Sequence, residues 1–321
     1  MMRAVPVIAT LILLLAASSL AALCIGVTMI SPLAAVKMAW LHDAADFVIW
    51  QHRLPRSLIA ILIGAALGTA GTLIQGVIRN PLASPDILGV TQGAGLAVTV
   101  VLLLVQSGAQ GWLPLIACLG GAGGALLLTA YNSGMAFSPV RFALSGVAVS
   151  LTFASVTEFL LLTYPVEINT ALLALTGSLW ARGWTHLAPS LLLVPLIGAG
   201  FLLAKPLDLI GLGDEAATGL GVGLRPVRLF AIALSVLLTG ISVSVIGPVT
   251  FVGLMAPHLA RRLVGGAHLT LIPTAALAGA IIVVLADTLG RGLAPPMEIP
   301  VGVLTAVIGA PYFLWLLFRI R

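Results

Sequence analysis

The segment 53–95 constrains the fold more than any other part of this chain. It reads RLPRSLIAILIGAALGTAGTLIQGVIRNPLASPDILGVTQGAG. A glycine-rich apolar run of membrane length follows a basic turn, breaks at Asn80-Pro81 and Ser84-Pro85, and then resumes. Non-helical backbone at membrane depth is tolerated only where protein or a water-filled cavity lines it. The segment is therefore typical of a membrane transporter and not of a soluble domain.

Composition supports a chain that is solvated by lipid. Hydrophobic residues make up 60% of the 321 residues and charged residues 8%, whereas soluble domains carry roughly 25% charge. The formal charge is +5, but the basic residues lie between apolar runs, so they indicate membrane topology and not nucleic-acid binding. Cys24 and Cys118 lie far apart inside apolar runs, which predicts neither a disulfide framework nor a metal site.

Ten apolar runs approach the ~20 residues that a helix needs to cross the hydrocarbon. They are 6–28, 57–78, 88–107, 113–131, 142–163, 188–204, 227–246, 249–264, 270–289 and 300–318. The eighth is short and contains Pro257, which predicts a broken or tilted helix, and amphipathic pieces are expected over 32–50 and 168–181. We predict an all-α, polytopic membrane protein with about ten transmembrane helices, an uncleaved first helix and a single domain over 1–321.

The distribution of basic residues predicts the orientation. With both termini in the cytoplasm, ten of the 15 Lys and Arg residues lie inside and five outside, as the positive-inside rule expects. The outside residues are Lys37, Arg53, Arg56, Arg182 and Arg291. From the residues alone, the arginines among them are interpreted as anchors at helix ends.

Motifs for nucleotide binding or catalysis are absent from the sequence. It has no G-x-x-x-x-G-K-[ST] loop, and the glycines of 211–223 follow no predicted strand. His258 and His268 are isolated in sequence and are expected at the membrane interface, and no nucleophile–base arrangement is visible. We predict that the chain is not an enzyme, binds no metal and holds no cofactor of its own.

Small and polar residues inside the predicted spans allow alternative roles. The pairs Gly64/Gly68 and Gly120/Gly124 match the small-xxx-small pattern of close helix packing. Intramembrane acids are candidates for function by default, but Glu158 and Asp287 lie near the outer ends of their spans and are equally explained as wetted interface groups. Gln75 either lines a pathway or forms a hydrogen bond between helices.

The longest polar segment is 205–228, KPLDLIGLGDEAATGLGVGLRPVR. Asp214 and Glu215 are expected to open a short helix after Gly213, because acids are favoured near a helix N-terminus. The three glycines Gly219, Gly221 and Gly223 would end this helix. Composition alone leaves two interpretations open: an ordinary connecting loop, or a compact element that inserts into a groove on a partner.

Ordered motifs along nearly the whole chain resemble one family. They are RLPR at 53–56, GAALGTAG at 64–71, RNPLASPDILGV at 79–90, ALSGVAVS at 143–150, LTGSLW at 175–180, LGDEAATGLGV at 212–222, GPVTFVGLMAPHLAR at 247–261 and EIPVGVLTAVIGAPYF at 298–313. The chain resembles the permease subunits of type II ABC importers for iron–siderophore complexes, haem and cobalamin. Its motifs are most similar to those of the ferric citrate branch, so the resemblance implies a ferric siderophore as cargo, with ferric citrate first and haem or cobalamin as alternatives.

The resemblance assigns roles to residues on the cytoplasmic side. Segment 205–228 corresponds to the coupling helices that dock on the ATPase, and the expected contacts are Gly213, Asp214, Glu215, Ala217 and Leu220. The first gate element falls on Asn80 and Leu82. The second falls on Pro139 and Val140, where the cobalamin permease has a Thr-Ser pair, so its chemistry departs from that permease.

The resemblance also implies partners and a location. These are a second permease subunit, either a sister or an identical copy, two ATPase subunits that hold ATP and Mg²⁺, a periplasmic substrate-binding protein and membrane lipid, in a bacterial inner membrane. Arg53, Arg56 and Arg291 correspond to arginines that accept glutamates of the binding protein, and Arg suits bidentate carboxylate recognition. The rivals are an ion-coupled secondary transporter, which paired buried acids would favour, and an intramembrane enzyme, which would need a clustered catalytic set.

Overall fold

The computed structural model describes residues 4–41, 47–86, 88–104, 112–132, 139–164 and 175–319. Throughout these ranges the regular elements are helices and no strand occurs. They are α1 (Ala4–Cys24), α2 (Pro32–Leu41), α3 (Leu54–Ile78), α4 (Val90–Leu104), α5 (Leu113–Tyr131), α6 (Pro139–Thr163), α7 (Trp184–Ile210), α8 (Asp214–Gly219), α9 (Leu224–Ile246), α10 (Val252–Val264), α11 (His268–Gly292) and α12 (Val301–Arg319). A π-helical turn, Ile49–Arg53, leads directly into α3, and α7 contains a 3₁₀ turn at Phe201–Leu203.

Each of the ten predicted spans corresponds to a helix, which confirms the all-α membrane fold. Seven helices in the described residues are long and apolar enough to cross a membrane, with α3 counted together with its π turn. The others, α4, α10 and α12, are shorter or less apolar than a full span requires. The seven long helices and these three shorter ones together match the expectation of about ten in the described residues.

The irregular chain between α3 and α4 packs into the bundle. Residues 79–89 leave α3 and pack back into the bundle, where Gly89 lies against Val149 and the Ser150 hydroxyl donates to the Asp86 carbonyl oxygen at 3.1 Å. Val149 is ten residues into α6, or about 15 Å at 1.5 Å per residue. The predicted breaks are confirmed, and the irregular backbone lies against protein, as the membrane interior requires.

Glycines let α3 pack at backbone distance against two other helices. A Cβ added at Gly64 would overlap the Gly279 carbonyl of α11, and one added at Gly71 would overlap the Gly253 carbonyl of α10. In the same way, a Cβ added at Gly120 of α5 would overlap the Gly93 carbonyl of α4. The small-residue pattern is therefore confirmed as a packing device, and it makes α3 the central helix of the molecule.

Three local expectations are corrected by the structure. Helix α10 is continuous over 13 residues with Pro257 inside it, so it is not broken. The predicted piece 32–50 is a ten-residue helix followed by the π turn, with 42–46 outside the described residues. Of the piece 168–181, residues 168–174 lie outside the described part, and 176–181 have no helix.

Candidate coupling, gate and docking sites

The coupling segment contains the short helix expected of it. Gly213 has φ +114°, a conformation that suits glycine, and α8 begins at the next residue. Ala217 is fully buried and its carbonyl accepts the Val222 N–H at 2.9 Å, which folds the chain back after the helix. Glu215 and Leu220 are exposed. Of the five predicted contact residues, Ala217 thus attaches α8 to the core, and Glu215 and Leu220 present surface.

Asp214 connects α8 to two other elements. Its carboxylate accepts two hydrogen bonds from Arg228 Nη2, at 2.8 and 2.9 Å, and Arg228 lies in the first turns of α9. The same Oδ1 lies 3.2 Å from Arg79 Nη2 at the end of α3. Asp214 and Arg79 are each about one third exposed, with side-chain values of 36% and 34%. This contact was not predictable from the sequence, because Arg79 and Asp214 belong to separate motifs.

The residues predicted as the first gate element form a tight turn that follows α3. Arg79 ends α3 in the left-handed conformation, φ +56°, and the Asn80 side-chain oxygen accepts the Leu82 N–H at 2.9 Å. Asn80 and Leu82 are half-buried. The second predicted pair forms the first two residues of α6, and its side chains lie outside the described part of the chain.

Asp86 lies in the loop between α3 and α4. It was not among the predicted site residues. Its Oδ1 accepts the Thr91 hydroxyl of α4 at 2.7 Å, and its Oδ2 faces the Phe251 N–H at 3.4 Å. Phe251 has φ +65° and immediately precedes α10. One carboxylate thus holds the loop against α4 and the start of α10. An acid in the Ser-Pro-Asp run was the available signal.

Gln75 lies on α3 one turn before Arg79. It is 2% exposed, and its Oε1 lies 3.5 Å from Arg261 Nη2 of α10. This geometry matches the alternative of a polar contact between helices. A role in lining the pathway stays a prediction.

The three predicted docking arginines meet at the opposite end of the molecule. They are not exposed, as docking cations were expected to be: Arg53, Arg56 and Arg291 are 6%, 9% and 5% exposed. All three line a pocket of about 440 Å³. Its other lining residues include Val27, Thr28, Phe47, His52, Trp180 and Glu298. The three residues thus share one pocket, their burial was not expected, and their role in docking stays a prediction.

Two carboxylates compensate part of the charge of this arginine pocket. Arg56 donates to Asp287 through Nε at 3.0 and 3.1 Å and through Nη2 at 2.7 Å, and its Nη1 lies 2.8 Å from Glu298. Arg291 Nε lies 3.2 Å from the other Asp287 oxygen. In the described part of the chain, Asp287 and Glu298 are the carboxylates that pair with the arginines of this pocket. Asp287, considered above as an intramembrane acid, is therefore part of an ion-pair network.

The remaining arginine donors bind the end of α1. Arg53 donates to the carbonyls of Leu23 and Thr28 at 2.7 and 2.6 Å, and Arg291 donates to that of Ala22 at 3.0 Å. The last carbonyls of a helix have no partner within the helix, and cations are favoured there. The alternative interpretation, arginines as helix-end anchors, therefore describes part of what these residues do.

Helix α6 shows a largely apolar face on the surface of the single chain. Leu144, Val147, Leu151, Phe159 and Leu162 are between 43% and 79% exposed. Next to this face, α5 and α6 enclose an open, mainly apolar cavity of about 990 Å³. Glu158 lies on α6 and is exposed.

The chain matches one family and several known proteins along most of its length. Residues 12–319 match the profile described as the FecCD transport family. The chain is 47% identical to the Fe(3+) dicitrate transport system permease protein FecD of Escherichia coli over 276 residues, which is 86% of each chain. It is 46% identical to the Fe(3+)-citrate import system permease protein YfmE of Bacillus subtilis over 319 residues, 97% of this chain and 95% of the relative.

A solved structure has the same fold over nearly its whole length. It is a metal-chelate type ABC transporter in an inward-facing conformation, with a TM-score of 0.83 and 31% identity over 98% of this chain and 99% of that one. The family profile, the relatives and the solved structure agree over the same residues. The chain belongs to the FecCD transport family.

Proposed function

We propose that this chain is the permease subunit of an ATP-driven importer and that its cargo is ferric citrate. The observation that carries the proposal is the similarity, along most of the chain, to two permeases that are both named for Fe(3+) citrate transport. The chain supplies the wall of the pathway and no nucleotide site. Its 1–321 domain lies in the bacterial inner membrane with both termini in the cytoplasm.

The partners follow from the surfaces of the single chain. A second permease subunit is placed against α6, where the cavity between α5 and α6 opens, and the remaining exposed apolar faces contact lipid. Two ATPase subunits, with ATP and Mg²⁺, contact the coupling segment through Glu215 and Leu220, which present surface. A periplasmic binding protein delivers the cargo at the arginine pocket.

Alternating access accounts for transport in this arrangement. Nucleotide binding to the ATPases displaces α8, and the turn at Asn80 and Leu82 moves relative to the start of α6 at Pro139 and Val140. A ligand shifts such an equilibrium only through its differential affinity for the two states. The permease therefore supplies the two conformations, and ATP supplies the free energy.

Uptake is expected to depend completely on the ATPases. Proteoliposomes that contain the full complex, the binding protein and internal ATP should accumulate radiolabelled ferric citrate, and a complex with hydrolysis-deficient ATPases should fall to the background. Full-rate uptake driven by an ion gradient without ATPases would instead establish a secondary transporter. Uptake of haem or another ferric siderophore, without uptake of ferric citrate, would show that this other compound is the cargo.

The docking proposal rests on the convergence of Arg53, Arg56 and Arg291 in one pocket. An acidic side chain of the binding protein would enter the pocket and compete with Glu298 for Arg56, since Glu298 is the more exposed of the two internal carboxylates, 24% against 4%. The new pair would form where Glu298 is, at 24% side-chain exposure, still in contact with water; an ion pair open to water contributes about 0–1 kcal/mol, so docking needs several arginines together. Salt should weaken it.

Glu298→Gln is expected to tighten docking. It removes the negative charge that competes with the incoming carboxylate, and a gain of up to about 1 kcal/mol corresponds to roughly fivefold in Kd. The measurement is the affinity of the binding protein for the permease complex at low and high salt. Glu158→Gln, the same change at an exposed acid of α6 that has no ion pair among the described residues, serves as control. An unchanged or weaker affinity for the Glu298 variant alone would contradict the docking role of the pocket.

A further inference from the structure

The geometry points to the Arg79–Asp214–Arg228 cluster as the connection through which α8 moves the turn at Asn80 and Leu82, the gate turn. The contact between Arg79 and Asp214 is called the bridge below. Asp214 is the first residue of α8, and Arg79 immediately precedes Asn80. We propose that Asp214 is a positioning residue, which acts on the gate through Arg79. This inference rests on the proposed function and deepens it, because it names the contact that joins the coupling segment to the gate.

The end of α3 fixes where a pull on Arg79 can act. The helix is buried at every residue from Ala66 to Ile78, so it cannot move without repacking the core. Arg79 is exposed and leaves the helix in the left-handed conformation, which is uncommon for a residue other than glycine. A displacement of its side chain is therefore transmitted to the turn at Asn80 and Leu82, and not to α3.

The cluster has the asymmetry that a switchable contact requires. Arg228 holds Asp214 by two short hydrogen bonds at 2.8 and 2.9 Å, whereas Arg79 reaches only Oδ1, at 3.2 Å. The Arg79 and Asp214 side chains are also more exposed than that of Arg228, which is 19% exposed. A small shift of α8 relative to α3 therefore changes the Arg79 contact first, and with it the pull on the turn at Asn80 and Leu82, while Asp214 stays paired with Arg228.

A second property of α8 supports a rigid transfer of motion. Ala217 attaches the helix to the core, and α8 has only six residues. Asp214 and Ala217 are three positions apart and lie on neighbouring parts of one helical surface. A force on the exposed residues Glu215 and Leu220 therefore turns α8 about Ala217, and this rotation displaces Asp214.

The test is a double-mutant cycle in the reconstituted complex with ATPases and binding protein. Arg79→Gln, Asp214→Asn and the double variant are compared for the amount of ferric citrate transported per ATP hydrolysed. We expect each single variant to lower this ratio about three- to tenfold, and the double variant to be no worse than the worse single one. Arg79→Lys, which keeps the charge, should recover at least half of the ratio.

Arg262→Gln is the matched control, since it removes an exposed arginine at the end of α10, outside the cluster. Its ratio should stay within about twofold of the original protein. An unchanged ratio for Arg79→Gln, or single effects that multiply in the double variant, would overturn the bridge. A merely structural role would lower the thermal midpoint of the complex and the transport rate together, and would leave transport per ATP unchanged.

Failure of the bridge and failure of the proposed function give different results. If the original complex transports ferric citrate without ATP, the proposed function is wrong, whatever the variants do. If transport needs ATP and the Arg79→Gln ratio equals that of the Arg262→Gln control, the proposed function stands and the bridge is wrong. Loss of ATPase co-purification with Asp214→Asn but not Arg79→Gln would assign Asp214 to docking alone, and this too rejects the bridge.

Discussion

Replacement of Asp287 by alanine is expected to destabilise the protein by about 3–5 kcal/mol, because it leaves buried arginine charge without its partner. Asp287 is 3% exposed and pairs with both Arg56 and Arg291. The retained contacts of Arg56 with Glu298 and of Arg291 with the Ala22 carbonyl place the expected cost at the lower end of that range. Unfolding of the detergent-solubilised protein, followed by circular dichroism against denaturant, measures it.

Glu158→Ala is the control for this prediction. Glu158 is an exposed acid on α6 and has no ion pair among the described residues. Its removal should change the free energy of unfolding by no more than about 0.5 kcal/mol. Asp287→Asn should lie between the two, since it keeps an oxygen acceptor and loses the charge. Equal stabilities for the Asp287→Ala and Glu158→Ala variants would show that the network contributes nothing.

Gly71→Ala is expected to be the most damaging single-methyl change in the chain. The new Cβ would overlap backbone atoms of Gly253, which have no rotamer to adopt. Pro257 lies four residues after Gly253 and has no N–H, so the close contact with α3 is made at a carbonyl that lacks the usual i+4 hydrogen bond. Overpacking of a core costs about 1–3 kcal/mol and more where only backbone can move. The yield of monodisperse protein from membranes should fall sharply.

Gly198→Ala provides the comparison at a helical glycine with open space around it. No atom lies within 4 Å of the Cβ that it would gain. Alanine favours a helix over glycine by up to about 1 kcal/mol, so this variant should be as stable as the original protein or more so. If both alanine variants behave alike, the close contact between α3 and α10 does not limit stability.

Local signals accounted for much of the fold. The chain breaks at Asn80-Pro81 and Ser84-Pro85, and the short helix after Gly213 was recognisable from glycine and the acids that follow it. These predictions succeeded because the physical cause lies within a few residues: proline removes a donor and glycine permits a positive φ. Pro257 was the exception, since packing against α3 keeps its helix continuous.

The candidate sites were only partly predictable. Arg53, Arg56 and Arg291 were recognised together by resemblance, but their burial and their bonds to the end of α1 were not. Arg56 and Asp287 are 231 positions apart, and no spacing rule relates such residues. The bridge from Arg79 to Asp214 escaped notice for the same reason, because each residue belongs to a motif that is complete by itself.

The sequence by itself determined that this chain is a bundle of apolar helices in lipid and where most of those helices end. Lipid cannot satisfy exposed backbone groups, so each segment must form its own hydrogen bonds, and length and composition decide this segment by segment. Only the tertiary structure decided which charges meet. That choice depends on glycines such as Gly64 and Gly71, which let α3 approach α11 and α10 closely enough to bury ionic groups between their ends.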